Sequence, residues 1–451
     1  MILKSCDVLE NMAILTFIEL IINSTLAAVD PRTAVKNSIK VNSELLQAGD
    51  HSVHLEPLSR LRLVAIGKAA QEMASGAMDV LGDRIVDGLV ISKFLNHEIT
   101  FPANFQVLKG GHPVPNQESL SSGQALNRFC QGSYRQDVFL TLISGGGSAL
   151  VQMPVEGIPL KDLQMITRSL LHCGATIEEL NTVRKHLDLV KGGGLVKMAA
   201  PARGISLIIS DVKGDRLDFI ASGMTVEDTT TVRDALKIIS THGLLAETPE
   251  SILRILSNDI KQMVLNTTYP GGEELNWWGN TILLNNASAV HAVIQTARQA
   301  GWKAENLGWV LEGEARDAGK KLAEMLTRIS EDSMIQKPIC LVGGGETVVQ
   351  VKGLGIGGRN LEVALGAVEG LGLLDNVALI TLATDGEDGE TGFAGAVVTS
   401  KTKRIAEKLD LKTQNYLEEN NSYRFFETAG GLIQTGTTGT NVNDLVILLA
   451  W

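Results

Sequence analysis

Leu142-Ile143-Ser144-Gly145-Gly146-Gly147-Ser148-Ala149-Leu150 is the stretch on which the reading of this chain turns. An apolar run ends abruptly in three glycines flanked by two hydroxyl residues, the pattern of a strand that turns into a helix. Glycines let consecutive backbone N–H groups turn toward one point, and a following helix adds its positive end. Ser144 and Ser148 can donate further hydrogen bonds to phosphate or carboxylate oxygens. A turn that only lets strand and helix pack closely seldom needs three glycines together with two hydroxyls. The five residues Ser144, Gly145, Gly146, Gly147 and Ser148 are therefore read as an anion cradle.

Outward from this loop, short apolar runs alternate with segments of helical period, which is the pattern of βα units. Strands are expected at 61–66, 88–92, 137–143, 205–210, 281–285, 309–312, 338–342 and 377–381, most of them ending in Gly, Ser or Asp. Open α/β sheets bind ligands beyond such carboxyl ends. A helix is expected after Pro159, with Leu163, Ile166, Leu170 and Leu171 on one face and Gly174 as its C-cap glycine. The composition turns polar around 228–266, which places a domain boundary near residue 250: an N-terminal α/β domain over 1–250 and a C-terminal one over 251–451.

Composition agrees. At 451 residues the chain exceeds what one core usually supports, so two or three domains are expected. Forty-six glycines against only 4% aromatic residues suit α/β layers with glycine-rich turns and speak against an all-β protein. A formal charge of −11 and a pI near 5.3, with no lysine-arginine block, exclude non-specific binding to nucleic acid or an anionic membrane. Cys6, Cys130, Cys173 and Cys340 form no metal-binding spacing and no disulfide framework, which fits a reducing cytoplasm. The apolar stretch 12–29 is interrupted by Glu19, Asn23 and Ser24, lacks a basic leader apart from Lys4, and reads as an amphipathic or buried helix.

Other knots of functional residue types sit in turns. Lys68 follows the apolar run 61–66 within small residues, where it can reach a phosphate or carboxylate. The cations of 184–191 precede a second triple glycine and, taken alone, read as a solvated helix face and cap. Asp211 and Asp215 stand four residues apart in a loop, suited to holding Mg²⁺ or accepting a proton, although an Asx turn explains one of them equally well. Gly353-Leu354-Gly355-Ile356-Gly357-Gly358 formally contains G-x-G-x-x-G between a strand-like 347–351 and a helix. The next strand does not end in an acidic residue at the dinucleotide distance, and Arg359 at the helix start suits a terminal phosphate instead. No P-loop occurs. Asp385 and Asp388 lie in one small-residue loop. A second, 435–444, carries more threonine and asparagine side chains than a turn requires, Asn441 and Asn443 among them, and reads as a ligand contact.

Taken together and in this order, these segments resemble the glycerate 2-kinase family, also called the MOFRL family, from about Leu20 to the C-terminus. The carriers are Gly67-Lys68-Ala69, Gly111-His112-Pro113-Val114-Pro115, Ser144 to Ser148, Asn181 through Lys191-Gly192-Gly193, Ser210-Asp211-Val212 with Gly214-Asp215, Gly358-Arg359-Asn360, Thr384-Asp385-Gly386 with Asp388-Gly389, and Thr438 to Asp444. The resemblance implies two different three-layer α/β/α domains, the first Rossmann-like with a parallel sheet and the second with a mixed sheet, with the active site in the cleft between them. It implies transfer of the γ-phosphoryl of ATP, with Mg²⁺, to the 2-hydroxyl of D-glycerate. Lys68 and Arg359 match the family's catalytic lysine and arginine. Ser144 to Ser148, Lys191, Asn441 and Asn443 are the expected substrate or phosphate contacts. Asp211, Asp215, Asp385 and Asp388 are the expected metal ligands or proton acceptors, and the sequence does not choose among them. Three positions depart from the family pattern: Asp188 for a serine, Met224 for a proline and Leu361 for a glutamine. The competing expectations are an NAD(P)H-dependent hydroxypyruvate reductase, a label some members have carried, and a non-catalytic sugar-acid or nucleotide-binding protein.

Overall fold

The computed structural model describes residues 3–4, 8–9, 11–262 and 272–451. Two compact units emerge: Pro31–Leu283, and Leu284–Trp451 together with Met1–Asp30. The division thus falls at residue 283 and not near 250, and the first thirty residues belong with the C-terminal half. The reason lies in side-chain packing. Ile252 and Leu256 of the helix Glu250–Gln262 share a core with Ile239 of the helix Val232–Thr241, so the polar stretch is a surface layer of the first unit and not a linker. The strand Trp278–Leu284 then joins that unit's sheet, where the Trp278 indole N–H donates to Ser206 Oγ at 2.8 Å. Cys6 and Asn266 lie outside the described residues.

The first unit is built on a six-stranded sheet in the order Trp278–Leu284, Arg203–Ile209, Val138–Ile143, Leu61–Ile66, Ile85–Ser92, Phe105–Lys109. The last five run parallel, as the Rossmann-like expectation requires. Leu61–Ile66 and Val138–Ile143 are buried at every position, which explains their unbroken apolar sequence: strands of a covered parallel sheet have no solvent face. From Leu61–Ile66 the chain winds outward through two strands and returns to the other side of its starting strand. The two central strands therefore form a topological switch point, the place where such sheets bind ligands. The helix Leu160–His172 buries Leu163, Ile166 and Leu170 and stops at Gly174, φ 77°, but Leu171 points to solvent. A small antiparallel sheet over Ile39–Val41, Leu45–Ala48 and His51–His54 was not anticipated.

The second unit carries a mixed sheet with helices on both sides. Its central strand, Asp444–Ala450, lies antiparallel to both Ile339–Gly345 and Val377–Ala383. The sequence reading missed this strand, because a short continuous apolar run fits a buried helix turn as well as a strand. The strand expected at 347–351 does not form. Only a single bridge joins Glu314 to Val348, and Val351 is 75% exposed. The helix Met12–Ala28 is a buried-face helix of this unit, as expected: Phe17 stacks on Trp302 at 4.3 Å, and the hydroxyls of Ser24 and Thr296 meet at 2.8 Å. Among the described residues no single helix is long and apolar enough to cross a membrane.

Candidate active site

At the switch point of the first unit, Ile66 and Ile143 are register partners, so Gly67-Lys68 and Ser144 to Ser148 leave the sheet together. The main chain laces the two loops: Ser144 N–H donates to Ile66 O at 3.0 Å and Lys68 N–H to Gly145 O at 2.9 Å. Ser144 Oγ accepts from Ala69 N–H at 3.0 Å, and a Cβ on Gly67 would fall 2.1 Å from that hydroxyl. Ser144 is thus a buried clasp between the loops, not an outward anion donor. Neighbours press closest at the bend. A Cβ on Gly145 would come within 1.9 Å of Asp211 Oδ2, and one on Gly146 within 3.0 Å of His112 Cδ2 and 3.4 Å of Lys68 Cγ. Lys68, His112 and Asp211 therefore surround the glycines. Burial pushes the His112 pKa down to about 4, and Lys68, Lys93 and Arg184 act in the same direction. The helix that follows, Gly147–Leu150, is a single turn, too short for the summed peptide dipoles expected of it.

Ser148 also turns inward. Its hydroxyl shares a short hydrogen bond with Ser222 Oγ, which donates to Asn181 Oδ1 at 3.0 Å. Ala221 and Ser222 hold left-handed φ values of 49° and 58°, each costing about 1 kcal/mol or more. The second triple glycine offsets this by approaching them: Gly192 N–H donates to Ser222 O at 2.9 Å and Gly193 N–H to Gly223 O at 2.7 Å. Lys191 is not placed as a ligand contact. Its ammonium is buried on Asp188 at 3.0 Å and Val151 O at 3.4 Å, burial lowering its pKa and Asp188 opposing that. Nor are the cations before it solvated. Lys185, 1% exposed, pairs with Asp228 at 3.3 Å, and His186 Nε2 lies 3.2 Å from Thr230 Oγ1. Arg184 is half-buried beside a recess lined by Pro115, Ser148, Gln152, Thr167 and Asp188, without a hydrogen bond or ion pair to its guanidinium among the described residues.

In the second unit the strand register brings three chain segments to one end of the sheet, because Asp444 is partner to both Gly345 and Ala383. Arg359, first residue of the helix Arg359–Leu371, is fixed there. Its Nε and Nη2 grip the Asp444 carboxylate, and Nη1 reaches Glu346 Oε1 at 2.9 Å. Burial works against its charge, but Asp444 and then Glu346 outweigh that and raise its pKa. The side chain remains 31% exposed. Asn443 Nδ2 donates to Glu346 Oε2 at 3.2 Å, and Asn441 Oδ1 accepts from Asn443 N–H at 3.2 Å. Thr384 ties the loop further, donating to Asn443 O at 2.7 Å and accepting from Val442 N–H at 2.9 Å. Much of the hydroxyl and amide content of 435–444 thus shapes the loop itself.

The four candidate carboxylates are not equivalent. Asp388 is buried and caps the Arg359 helix, accepting from Asn360 N–H at 2.9 Å and Leu361 N–H at 2.7 Å, because Gly358 at the N-cap has no side chain to do so. Burial pushes its pKa up to about 7 against those two donors. Asp385 sits at a strand end and accepts from Glu387 N–H at 3.2 Å, Asp215 lies in the turn Lys213–Asp215, and Asp211 lies on Gly145. No three His, Cys, Asp or Glu side chains gather at metal spacing among the described residues. Mg²⁺ carried on nucleotide phosphates takes one or two protein carboxylates, which Asp211 or Asp385 could supply, while Asp388 is buried and committed to the helix cap.

The G-x-G-x-x-G run is explained by the chain itself. A Cβ on Gly353 or Gly355 would lie 2.4 Å from atoms of Glu419 or Asn421, and one on Gly357 2.3 Å from Ser422 Oγ. Gly353 N–H donates to Asn420 Oδ1 at 3.0 Å and Gly355 N–H to Glu419 O at 2.9 Å. Of the three departures, Leu361 and Met224 point into hydrophobic cores, and Asp188 is the counter-ion of Lys191. Sequence reasoning assigned no role to His112, Arg184, Glu346 or Asp444. His112 had a signal in its Gly-His-Pro segment. The other three became legible only through register and burial.

Two family models match the chain: a domain of unknown function, DUF4147, over residues 17–257, and the MOFRL family over 339–444. A D-glycerate 2-kinase from Thermotoga maritima is 38% identical, with 95% of this chain and 96% of that protein covered. A glycerate 2-kinase from Pyrococcus horikoshii is 37% identical over the same shares. A crystal structure of glycerate kinase from Thermotoga maritima matches with a TM-score of 0.84 at 36% identity, covering 98% of this chain and 100% of that one.

Proposed function

The chain belongs to the glycerate 2-kinase family, and on that premise we propose that it transfers the γ-phosphoryl group of ATP to the 2-hydroxyl of D-glycerate, giving 2-phosphoglycerate and ADP. The observation that carries this reading is likeness over nearly the whole chain to relatives named for that activity. In-line phosphoryl transfer asks a protein chiefly to position reactants and neutralise charge. Lys68, beside the loop at the switch point, and Arg359, held by Asp444 and Glu346, are the two cations assigned to the transferring group. A guanidinium clamped before substrate arrives needs no reorganisation during the reaction. Asp211, against the same loop as Lys68, is the carboxylate assigned to take up the hydroxyl proton. Asp211 or Asp385 would hold Mg²⁺, which would supply neutralisation of phosphate charge. A cytoplasmic setting suits the unpaired Cys130, Cys173 and Cys340.

A hydroxypyruvate reductase is the weaker reading, since the N–H groups of Gly353 and Gly355 that would meet a pyrophosphate bind residues 419–420 instead. Purified protein supplied with D-glycerate, ATP and Mg²⁺, coupled to enolase with no phosphoglycerate mutase, is expected to yield phosphoenolpyruvate. ADP without phosphoenolpyruvate would overturn the 2-hydroxyl assignment. NADH oxidation with hydroxypyruvate would favour the reductase.

A further inference from the structure

Arg184 has no part in the roles assigned above. It stands in the last turn of the helix Ile177–Lys185, half-buried, and Ser148 of the glycine loop lines the same recess. A guanidinium taken partly out of water loses hydration, and that loss is normally offset by a counter-ion or acceptors. Arg184 makes no hydrogen bond or ion pair among the described residues, and the charge of Asp188 offsets its burial only in part. The acid nearest to hand, Asp188, is already engaged: its oxygens accept from Met153 N–H and Val190 N–H, each at 2.9 Å, and pair with Lys191 at 3.0 Å. The Arg184 charge also bears on His112, which rests on Gly146, so it acts at the same loop as Lys68. Burial draws its pKa down to about 10, only partly opposed by Asp188.

An arginine whose charge is only partly offset suits an anion, and its planar fork matches a carboxylate with two parallel N–H···O bonds. We propose that Arg184 binds the carboxylate of the acceptor and so makes the first unit selective for small 2-hydroxy acids over neutral polyols. This rests on the kinase reading, which it deepens.

The test varies D-glycerate and ATP separately in steady-state assays of Arg184→Gln and Arg184→Lys. In Arg184→Gln the KM for D-glycerate is expected to rise about 100-fold, with the KM for ATP within about twofold and the thermal midpoint held, because the change breaks no ion pair or hydrogen bond. Arg184→Lys should recover part of the loss. An unchanged KM for D-glycerate, or a rise that falls on ATP, overturns the proposal. If the wild-type protein does not turn over D-glycerate, the kinase reading fails by itself, and calorimetric titration of D-glycerate then decides. Binding by wild type and not by Arg184→Gln supports the carboxylate site, whereas equal binding or none overturns it.

Discussion

The glycine loop of the first unit and the Arg359 loop of the other unit share a sequence pattern, a cluster of glycines beside a cation, yet they treat charge oppositely. Arg359 is held by two carboxylates, one of them, Asp444, almost wholly buried. Around Gly145 and Gly146 stand Lys68, His112 and the carboxylate of Asp211, and nearby is Arg184, which has no ion pair among the described residues. The second unit fixes a cation in place with two carboxylates, whereas the first leaves the guanidinium of Arg184 without an ion pair among the described residues. In both, glycine serves mainly to let chain segments touch: Gly145 makes room for Asp211, and Gly353 and Gly355 for residues 419–421. The lesson is that a glycine cluster marks close approach, and that the partners of the charge beside it separate a clamped cation from one without an ion pair.

The largest expected effects test the two assigned catalytic cations. Lys68→Ala and Arg359→Lys should each lower turnover about 1,000-fold or more, read in the enolase-coupled assay. Near-normal turnover in both would remove them from the chemistry. Arg359→Ala tests the contrast in charge directly. It strips Asp444 and Glu346 of their partner and should cost about 3 kcal/mol of stability in urea unfolding, whereas Arg184→Gln should cost nothing measurable. Equal costs would break the comparison. Lys191→Met comes next: with Asp188 left buried without its ion pair, a loss of about 3 kcal/mol in stability is expected while the KM values of the folded protein stay within about twofold. A raised KM at unchanged stability would return Lys191 to the ligand contacts expected from its sequence context.

That last pair of outcomes shows where sequence reading reached its limit. All eight strands expected from apolar runs exist, and Lys68 and Ser144 emerge together, because burial and strand ends leave one-dimensional traces. The direction of a side chain leaves none. Lys191 and Ser144 have the residue types of an anion site but are buried, Ser148 is tied to Ser222, and Lys185 and His186 read as solvated yet are buried. Asp444–Ala450 escaped because seven apolar-rich residues carry no period that decides between strand and helix. The clamp on Arg359 depends on the partners of that same strand, so missing the strand meant missing the clamp. The G-x-G-x-x-G run misled for a related reason: the residues its glycines accommodate lie some sixty-five positions away, as in the hydrogen bonds from Gly353 to Asn420 and from Ile356 to Asn421.

The smallest effect sharpens the comparison most. His112 has its pKa lowered from 6.5 to about 4 by burial, with Lys68, Lys93 and Arg184 adding to it. The unfolded chain therefore binds the proton more tightly than the folded one. The corresponding stability is fully present above the unfolded pKa, and it is lost as the pH falls from 6.5 toward 4. After allowance for partial exposure this amounts to about 1 kcal/mol, to be read as the extra destabilisation of wild type over His112→Asn when urea unfolding is repeated at about pH 7 and about pH 4.5. Three of the four causes are cations, so an anion seated among them must weaken the depression. Saturating D-glycerate is expected to raise the His112 pKa in an NMR titration of the imidazole, and Arg184→Gln should abolish that rise. A His112 pKa near its ordinary value without ligand would mean that the first unit already compensates its cations, and the contrast with the clamped Arg359 would disappear.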